Sequence, residues 1–161
     1  MLINNKLKRG FPDHCRIQTK SKVCCSQVAG IPLTAYSKFI ILKVLIIDDE
    51  TDICYLLSAL LKKLNIQSSF VHTIAEARLE LQTDSPAVIF LDNHLPDGMG
   101  VDFIQYIKEH LPDTKIAMIT AYDTASDREK ALKEGADFFI GKPFSRDTIY
   151  QILDSLRIPI S

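Results

Sequence analysis

Three carboxylates, a hydroxyl and an ammonium fall in this chain at one kind of place, the end of a short apolar run. Asp48 and Asp49 follow "KVLII", Asp92 follows "AVIFL", Thr120 ends "KIAMIT" and Lys142 follows "DFFIG". Acids crowded at the mouth of an apolar run repel one another, and partial burial raises that cost, so a fold that keeps them supplies a cation or a proton. Three carboxylates with a hydroxyl and a lysine suit a small hard divalent cation with an oxyanion beside it. Magnesium takes oxygen ligands and often shares them with a phosphoryl group. Each residue alone has a plainer use. Paired acids stabilise a helix N-terminus, Asp92 opens the turn-rich stretch "DNHLPDG", Thr120 suits any strand and Lys142 any surface.

Whether the five meet depends on the elements that carry them. From Lys43 onward, β-branched runs alternate with segments of helical period, the pattern of an α/β protein whose parallel sheet is covered on both faces. Strands are expected at Lys43–Ile47, Gln67–His72, Ala87–Leu91, Lys115–Thr120 and Asp137–Gly141, the second being half polar and suited to an edge. Ile53, Leu56, Leu57, Leu60, Leu61 and Leu64 predict the inner face of a first helix, capped by Thr51 or Asp52. Ile74, Ala77, Leu79 and Leu81 predict a second. The third runs from about Gly100 to His110 with Phe103, Ile104 and Ile107 inward. The fourth spans Ala125 to Glu134, with Ala131 and Leu132 inward and Gly135 as its stop. Ser145 caps the last, which turns Ile149, Ile152, Leu153 and Leu156 inward. In such a sheet all strands end on the same side and ligands bind there, at the point where strand order reverses. The five polar residues then converge on one edge.

The remaining composition sets limits. The chain has 161 residues, enough for one sizeable core. Seven basic residues stand against one acid before Phe39, and 12 basic against 19 acidic from there on. The expected organisation is a basic, disordered extension over 1–42 and a folded domain over 43–157. No apolar stretch of signal-peptide length follows the start, and "FIILKVLII" is under half of the ~20 residues that span a bilayer. A cytoplasmic protein without membrane insertion is therefore expected. Cys15, Cys24, Cys25 and Cys54 match no pair of C-x-x-C knuckles, and Cys54 reads as a small core residue.

The motifs "IIDDE", "FLDNHLPDGMG", "MITAY" and "GADFFIGKPF", in that order between about Val44 and Leu156, resemble the receiver domain of bacterial response regulators. The resemblance implies a flavodoxin-like three-layer sandwich with strand order 2-1-3-4-5. It implies a phosphorylation-dependent signalling protein rather than an enzyme. Asp92 is then the phosphoacceptor, served by a histidine kinase or phosphotransfer protein. Mg2+ is held by Asp48, Asp49, Asp92 and the backbone carbonyl of His94, Asp49 more directly than Asp48, with Glu50 outside the ligand set. Lys142 pairs with a phosphoryl oxygen and precedes a cis Lys142–Pro143 bond, and Thr120 donates to the phosphoryl group. The family couples that bond to an aromatic residue on the fifth strand, which makes Phe139 and Thr120 the switch; Phe138 and Phe139 as plain core aromatics are the alternative. Signals leave through the fourth helix, fifth strand and fifth helix to a protein target, or by phosphoryl relay, with no output domain and no direct DNA binding expected. His94 and Tyr122, two residues after Asp92 and Thr120, flank the path of the water that hydrolyses the acyl phosphate. A phosphohydrolase of the haloacid-dehalogenase type needs a second aspartate two residues after the first, where this chain has Glu50 or Thr51. A receiver that works without phosphorylation would not need every one of these positions filled.

Overall fold

The computed structural model describes residues 42–122 and 124–156. The basic extension, with Cys15, Cys24 and Cys25, lies outside them. Ten elements follow in order: β1 (Lys43–Ile47), α1 (Thr51–Lys63), β2 (Gln67–Val71), α2 (Ile74–Thr83), β3 (Val88–Asp92), α3 (Gly100–His110), β4 (Lys115–Thr120), α4 (Ala125–Glu134), β5 (Phe138–Gly141) and α5 (Arg146–Ser155). A two-stranded ribbon, His94–Leu95 against Gly98–Met99, sits between β3 and α3. The five long strands pair in parallel in the order β2-β1-β3-β4-β5. Order reverses between β1 and β3, and their carboxyl ends carry Asp48 and Asp92.

Alternation along the strands splits the core in two, because successive side chains point to opposite faces of the sheet. Val44, Ile46, Val88, Phe90, Ala117 and Ile119 pack with Cys54, Leu57 and Leu61 of α1 and Ile149 and Leu153 of α5. Leu45, Ile47, Ile89, Leu91, Ile116 and Met118 pack on the other side with α2, α3 and α4 through Ala77, Phe103, Ile104, Ile107 and Ala131. With both faces covered, the inner strands β1, β3 and β4 are largely apolar and legible as continuous runs, whereas the edge strand β2 is half polar.

Several expectations need correction. β2 stops at Val71, β3 is shifted by one residue so that Asp92 ends the strand rather than following it, and β5 begins at Phe138. Leu56, Leu79 and Leu132 are exposed rather than inward. Successive helix residues are turned about 100° apart, and Leu56 falls outside the arc that Cys54, Leu57, Leu60 and Leu61 turn to the sheet, as Leu132 does beside Ala131. Neither Thr51 nor Asp52 caps α1; the N-cap position is Glu50, which makes no side-chain capping bond. Thr73, Thr124 and Ser145 do cap α2, α4 and α5. Gly135 ends α4 in the left-handed region, φ 110°, as a helix-terminal glycine does.

At the edge away from the site, Asp137 accepts from Lys108 Nζ (2.9 Å), Lys115 Nζ (2.8 Å) and the Ile116 N–H (3.0 Å). Burial pushes its carboxyl up, but the bonds from Lys115, Ile116 and Lys108 outweigh burial and hold it below the usual carboxylate range. A carboxyl lowered in the folded state stabilises the fold fully above its unfolded pKa, near 4, and loses that contribution as pH falls through the lower folded value. Asp137→Asn is expected to cost about 1–2 kcal/mol at pH 7, a figure reduced for the solvent around Lys115. In urea unfolding the gap between the two proteins should close below about pH 4. A gap unchanged from pH 7 to pH 3 would exclude this account.

Candidate functional site

The carboxyl ends of β1, β3, β4 and β5 bring Asp48, Asp92, Thr120 and Lys142 together. The register makes this exact in sequence terms: Ile47 is level with Leu91, Asp92 with Ile119, and Thr120 with Gly141. Lys142 is the hub. Its Nζ lies 2.9 Å from Asp48 Oδ2, 2.9 Å from Asp92 Oδ1 and 2.7 Å from Glu50 Oε1. Its backbone N–H donates to the Thr120 carbonyl at 2.7 Å, locking the ends of β4 and β5 together. The Lys142–Pro143 peptide bond is cis.

Asp48 and Asp92 are almost completely buried, at 1% and 4% exposure. Burial pushes the Asp48 carboxyl above its usual range; Lys142 and the Glu50 N–H pull it down without cancelling that, and the nearby charge of Asp92 adds to the rise. Burial alone would lower the Lys142 ammonium, but the carboxylates of Glu50, Asp92 and Asp48 in contact with it raise it well above the ordinary lysine range, so it stays charged. Asp92 is held at its other oxygen by the His94 N–H. The Thr120 hydroxyl, fully buried, accepts from the Tyr122 N–H at 3.1 Å and keeps its own proton to donate.

Asp48 is aimed by its backbone. Its carbonyl lies 2.8 Å from His72 Nδ1 and 3.3 Å from Cys54 Sγ, and its N–H donates to the Val71 carbonyl. A carbonyl only accepts, so His72 carries its proton on Nδ1. Burial pushes the Cys54 thiol up to about 11, which keeps it protonated and inert. Asp49 differs from its neighbour: it is exposed.

Among the described residues, no three acidic, histidine or cysteine side chains stand grouped as a metal site. Two buried carboxylates do converge on one positive charge, now supplied by Lys142. Asp48 Oδ2 is buried and takes no hydrogen bond, since Lys142 lies near it but off the bonding direction. An all-oxygen set whose buried Asp48 Oδ2 has an ion-pair contact but no aligned hydrogen bond fits a hard divalent ion.

Sequence reasoning missed four contributors. Glu50 touches Lys142 across 92 positions of sequence, and His72 sets the Asp48 backbone. Asp97, in the ribbon turn, accepts from the Ile74 and Ala75 N–H groups at the start of α2, both at 2.9 Å. Gly100 packs directly on the Asp92 backbone. Only Gly100 left a trace in the sequence, in the turn-like "GMG" before a helix. The exposed rings of His94 and Tyr122 meet at 5.0 Å between centroids, joining the loops after β3 and β4. Phe139 is half-buried against the second core cluster with the Arg128 guanidinium 5.1 Å above its ring.

A doubly wound parallel sheet in this order, with acids at its switch point and a lysine between them, is an open flavodoxin-like α/β fold rather than a barrel. The profile of the response regulator receiver domain matches residues 44–154, and the chain belongs to that family. Response regulator protein PilR of Pseudomonas aeruginosa is 41% identical over 101 residues, 63% of this chain and 23% of PilR. Phosphate regulon transcriptional regulatory protein PhoB of Escherichia coli is 32% identical over 105 residues, 64% of this chain and 46% of PhoB. The chain thus spans between about a quarter and three fifths of the length of such relatives. Among solved structures, the beryllofluoride-activated NtrC4 receiver domain dimer is 35% identical with a TM-score of 0.69, covering 74% of this chain and 98% of that one. A response regulator from Burkholderia pseudomallei, solved with a phosphorylated aspartic acid, calcium ion and citrate, shares the fold at 24% identity and a TM-score of 0.64, over 73% of this chain and 75% of that one. No helix among the described residues is long and apolar enough to cross a membrane.

Proposed function

We propose that residues 43–157 form a phosphoacceptor domain in which Asp92 takes a phosphoryl group from a phosphohistidine on a partner kinase or phosphotransfer protein. The observation that carries this is the buried Asp92 carboxylate, with one oxygen on Lys142 and the other on the His94 N–H. A carboxylate is a weak nucleophile, so positioning and charge neutralisation do most of the work in phosphoryl transfer. An Asp92 oxygen attacks phosphorus as the bond to the donor imidazole nitrogen breaks and that ring leaves with the electron pair. Lys142 takes a phosphoryl oxygen as a point charge, and Thr120 donates its hydroxyl proton to another. Mg2+ would be held by Asp48, Asp49, Asp92 and the His94 carbonyl, and when bound it neutralises charge on the carboxylates and the phosphoryl oxygens. The high-lying Asp48 carboxyl gains from such a charge.

Phosphorylation then biases an equilibrium between two arrangements of Thr120 and Phe139, read by a protein target at the α4, β5 and α5 face. The exposed Leu132 and the Arg146 guanidinium 5.1 Å over the Tyr150 ring support docking there. The chain works in the cytoplasm with its kinase, and residues 1–42 form a basic extension to this domain.

Incubation with Mg2+ and acetyl phosphate, followed by intact mass, is expected to give one phosphoryl group per chain. No gain, or turnover of unrelated phosphoesters, would sink the reading. We assign the joined His94 and Tyr122 rings the role of slowing water's approach to the acceptor, so replacing both by alanine is expected to shorten phosphoryl lifetime. Phosphate release at an unaltered rate would exclude that role.

A further inference from the structure

Glu50 occupies the N-cap position of α1, where Ser, Thr, Asp or Asn is preferred because a short side chain can bond the first free N–H groups. It makes no such bond. Its backbone serves the helix, with its N–H on Asp48 Oδ1 at 2.9 Å and its carbonyl accepting from the Cys54 N–H at 3.1 Å. The side chain reaches away to Lys142 instead.

An ammonium has three N–H donors, and three carboxylate oxygens surround the Lys142 Nζ within 2.9 Å. The partners are not equivalent. The Glu50 contact is the shortest and is aligned as a hydrogen bond, whereas Asp48 Oδ2 takes no hydrogen bond. The Asp48 and Asp92 side chains are 2% and 5% exposed, that of Glu50 58%. Releasing a buried carboxylate strands a charge in a poor solvent, but water receives Glu50 at little cost.

Resting on the phosphoacceptor reading of Asp92, we infer that Glu50 is a positioning residue that holds Lys142 in the unmodified protein and competes with the incoming phosphoryl group for it. When a phosphoryl oxygen arrives, Lys142 exchanges for it Glu50, the one partner of the three that water can receive. Glu50 thereby weakens the phosphorylated state by the strength of one exposed ion pair, which sets the scale at up to about fivefold in affinity, or about 1 kcal/mol.

The test uses beryllofluoride with Mg2+ as the phosphoryl probe, titrated calorimetrically into the full chain and its Glu50→Gln and Glu50→Asp variants, with Mg2+ alone titrated in parallel. Glu50→Gln is expected to bind beryllofluoride up to about fivefold more tightly at saturating Mg2+, with a thermal midpoint lowered by no more than about 5 °C without Mg2+. Glu50→Asp keeps the charge but loses a methylene of reach, so it should follow Glu50→Gln. If Glu50→Asp behaves as the unaltered chain while Glu50→Gln is tighter, the effect is the general field of the charge and the competition is excluded. Equal or weaker binding by Glu50→Gln also overturns it. Failure of the unaltered chain to bind beryllofluoride counts against the phosphoacceptor reading, a result distinct from either.

Discussion

Asp92→Asn is expected to remove phosphoryl gain from acetyl phosphate down to background, with the fold intact. Asparagine matches aspartate in size, and its amide oxygen still accepts from the His94 N–H, so the end of β3 keeps its anchor. What disappears is the charge that makes the group a nucleophile and one of the two buried carboxylates on Lys142. The loss should be complete, because positioning cannot compensate for an amide oxygen of negligible nucleophilicity. Intact mass after incubation with Mg2+ checks the first point, and the thermal midpoint in the absence of Mg2+ checks the second. A variant that still gains one group per chain would move the acceptor to another acid, with Asp48 and Asp49 the first to examine.

Gly100→Ala is expected to be the most destabilising single-methyl change in the domain. A Cβ at Gly100 would stand 2.0 Å from the Asp92 carbonyl oxygen and 3.0 Å from its carbon, with the Asn93 Cα at 3.2 Å. All three are backbone atoms, so no side chain can swing aside. Relief requires the start of α3 to withdraw from β3, which would break the Gly100 N–H bond to the Asn93 carbonyl (2.9 Å) and the Val101 N–H bond to Asn93 Oδ1 (3.2 Å). Overpacking against fixed backbone falls at the upper end of the usual cost, about 3 kcal/mol, lowering Tm by roughly 10 °C for a domain of this size. The same shift turns Asp92, so acetyl phosphate should label the variant more slowly even at temperatures where it remains folded. Thermal denaturation and labelling rate together decide it; a midpoint within a degree or two of the parent would refute the steric account.

The legibility of this molecule in its sequence follows from its physics. A sheet covered on both faces needs apolar strands, so β1, β3 and β4 stood out, and the residues at their ends could be collected before any contact was visible. The short ribbon after β3 has two residues per strand, too few for a period to register. Leu56, Leu79 and Leu132 misled because composition does not say which of several neighbouring apolar residues takes the inner face. Within the site, the types and order of Asp48, Asp92, Thr120 and Lys142 were legible, but the Glu50 contact was not. It depends on a helix start and a strand end far apart in sequence, and a third acid after two others carries no mark of where it points. The difference between buried Asp48 and exposed Asp49 is likewise a matter of backbone aim, fixed by His72 and Cys54 through a carbonyl that no side-chain pattern reveals.

That carbonyl has an entropic consequence. With its oxygen taken by His72 Nδ1 and Cys54 Sγ, and its N–H by Val71, Asp48 has lost its backbone freedom when the domain folds rather than when a ligand arrives. The ordering cost is met by the core, and association is spared it. Affinity at this corner is therefore coupled to the integrity of β1, β2 and α1 as a unit, so a lesion deep in the apolar layer beneath Cys54 would loosen the grip of the site while leaving every charged group in place.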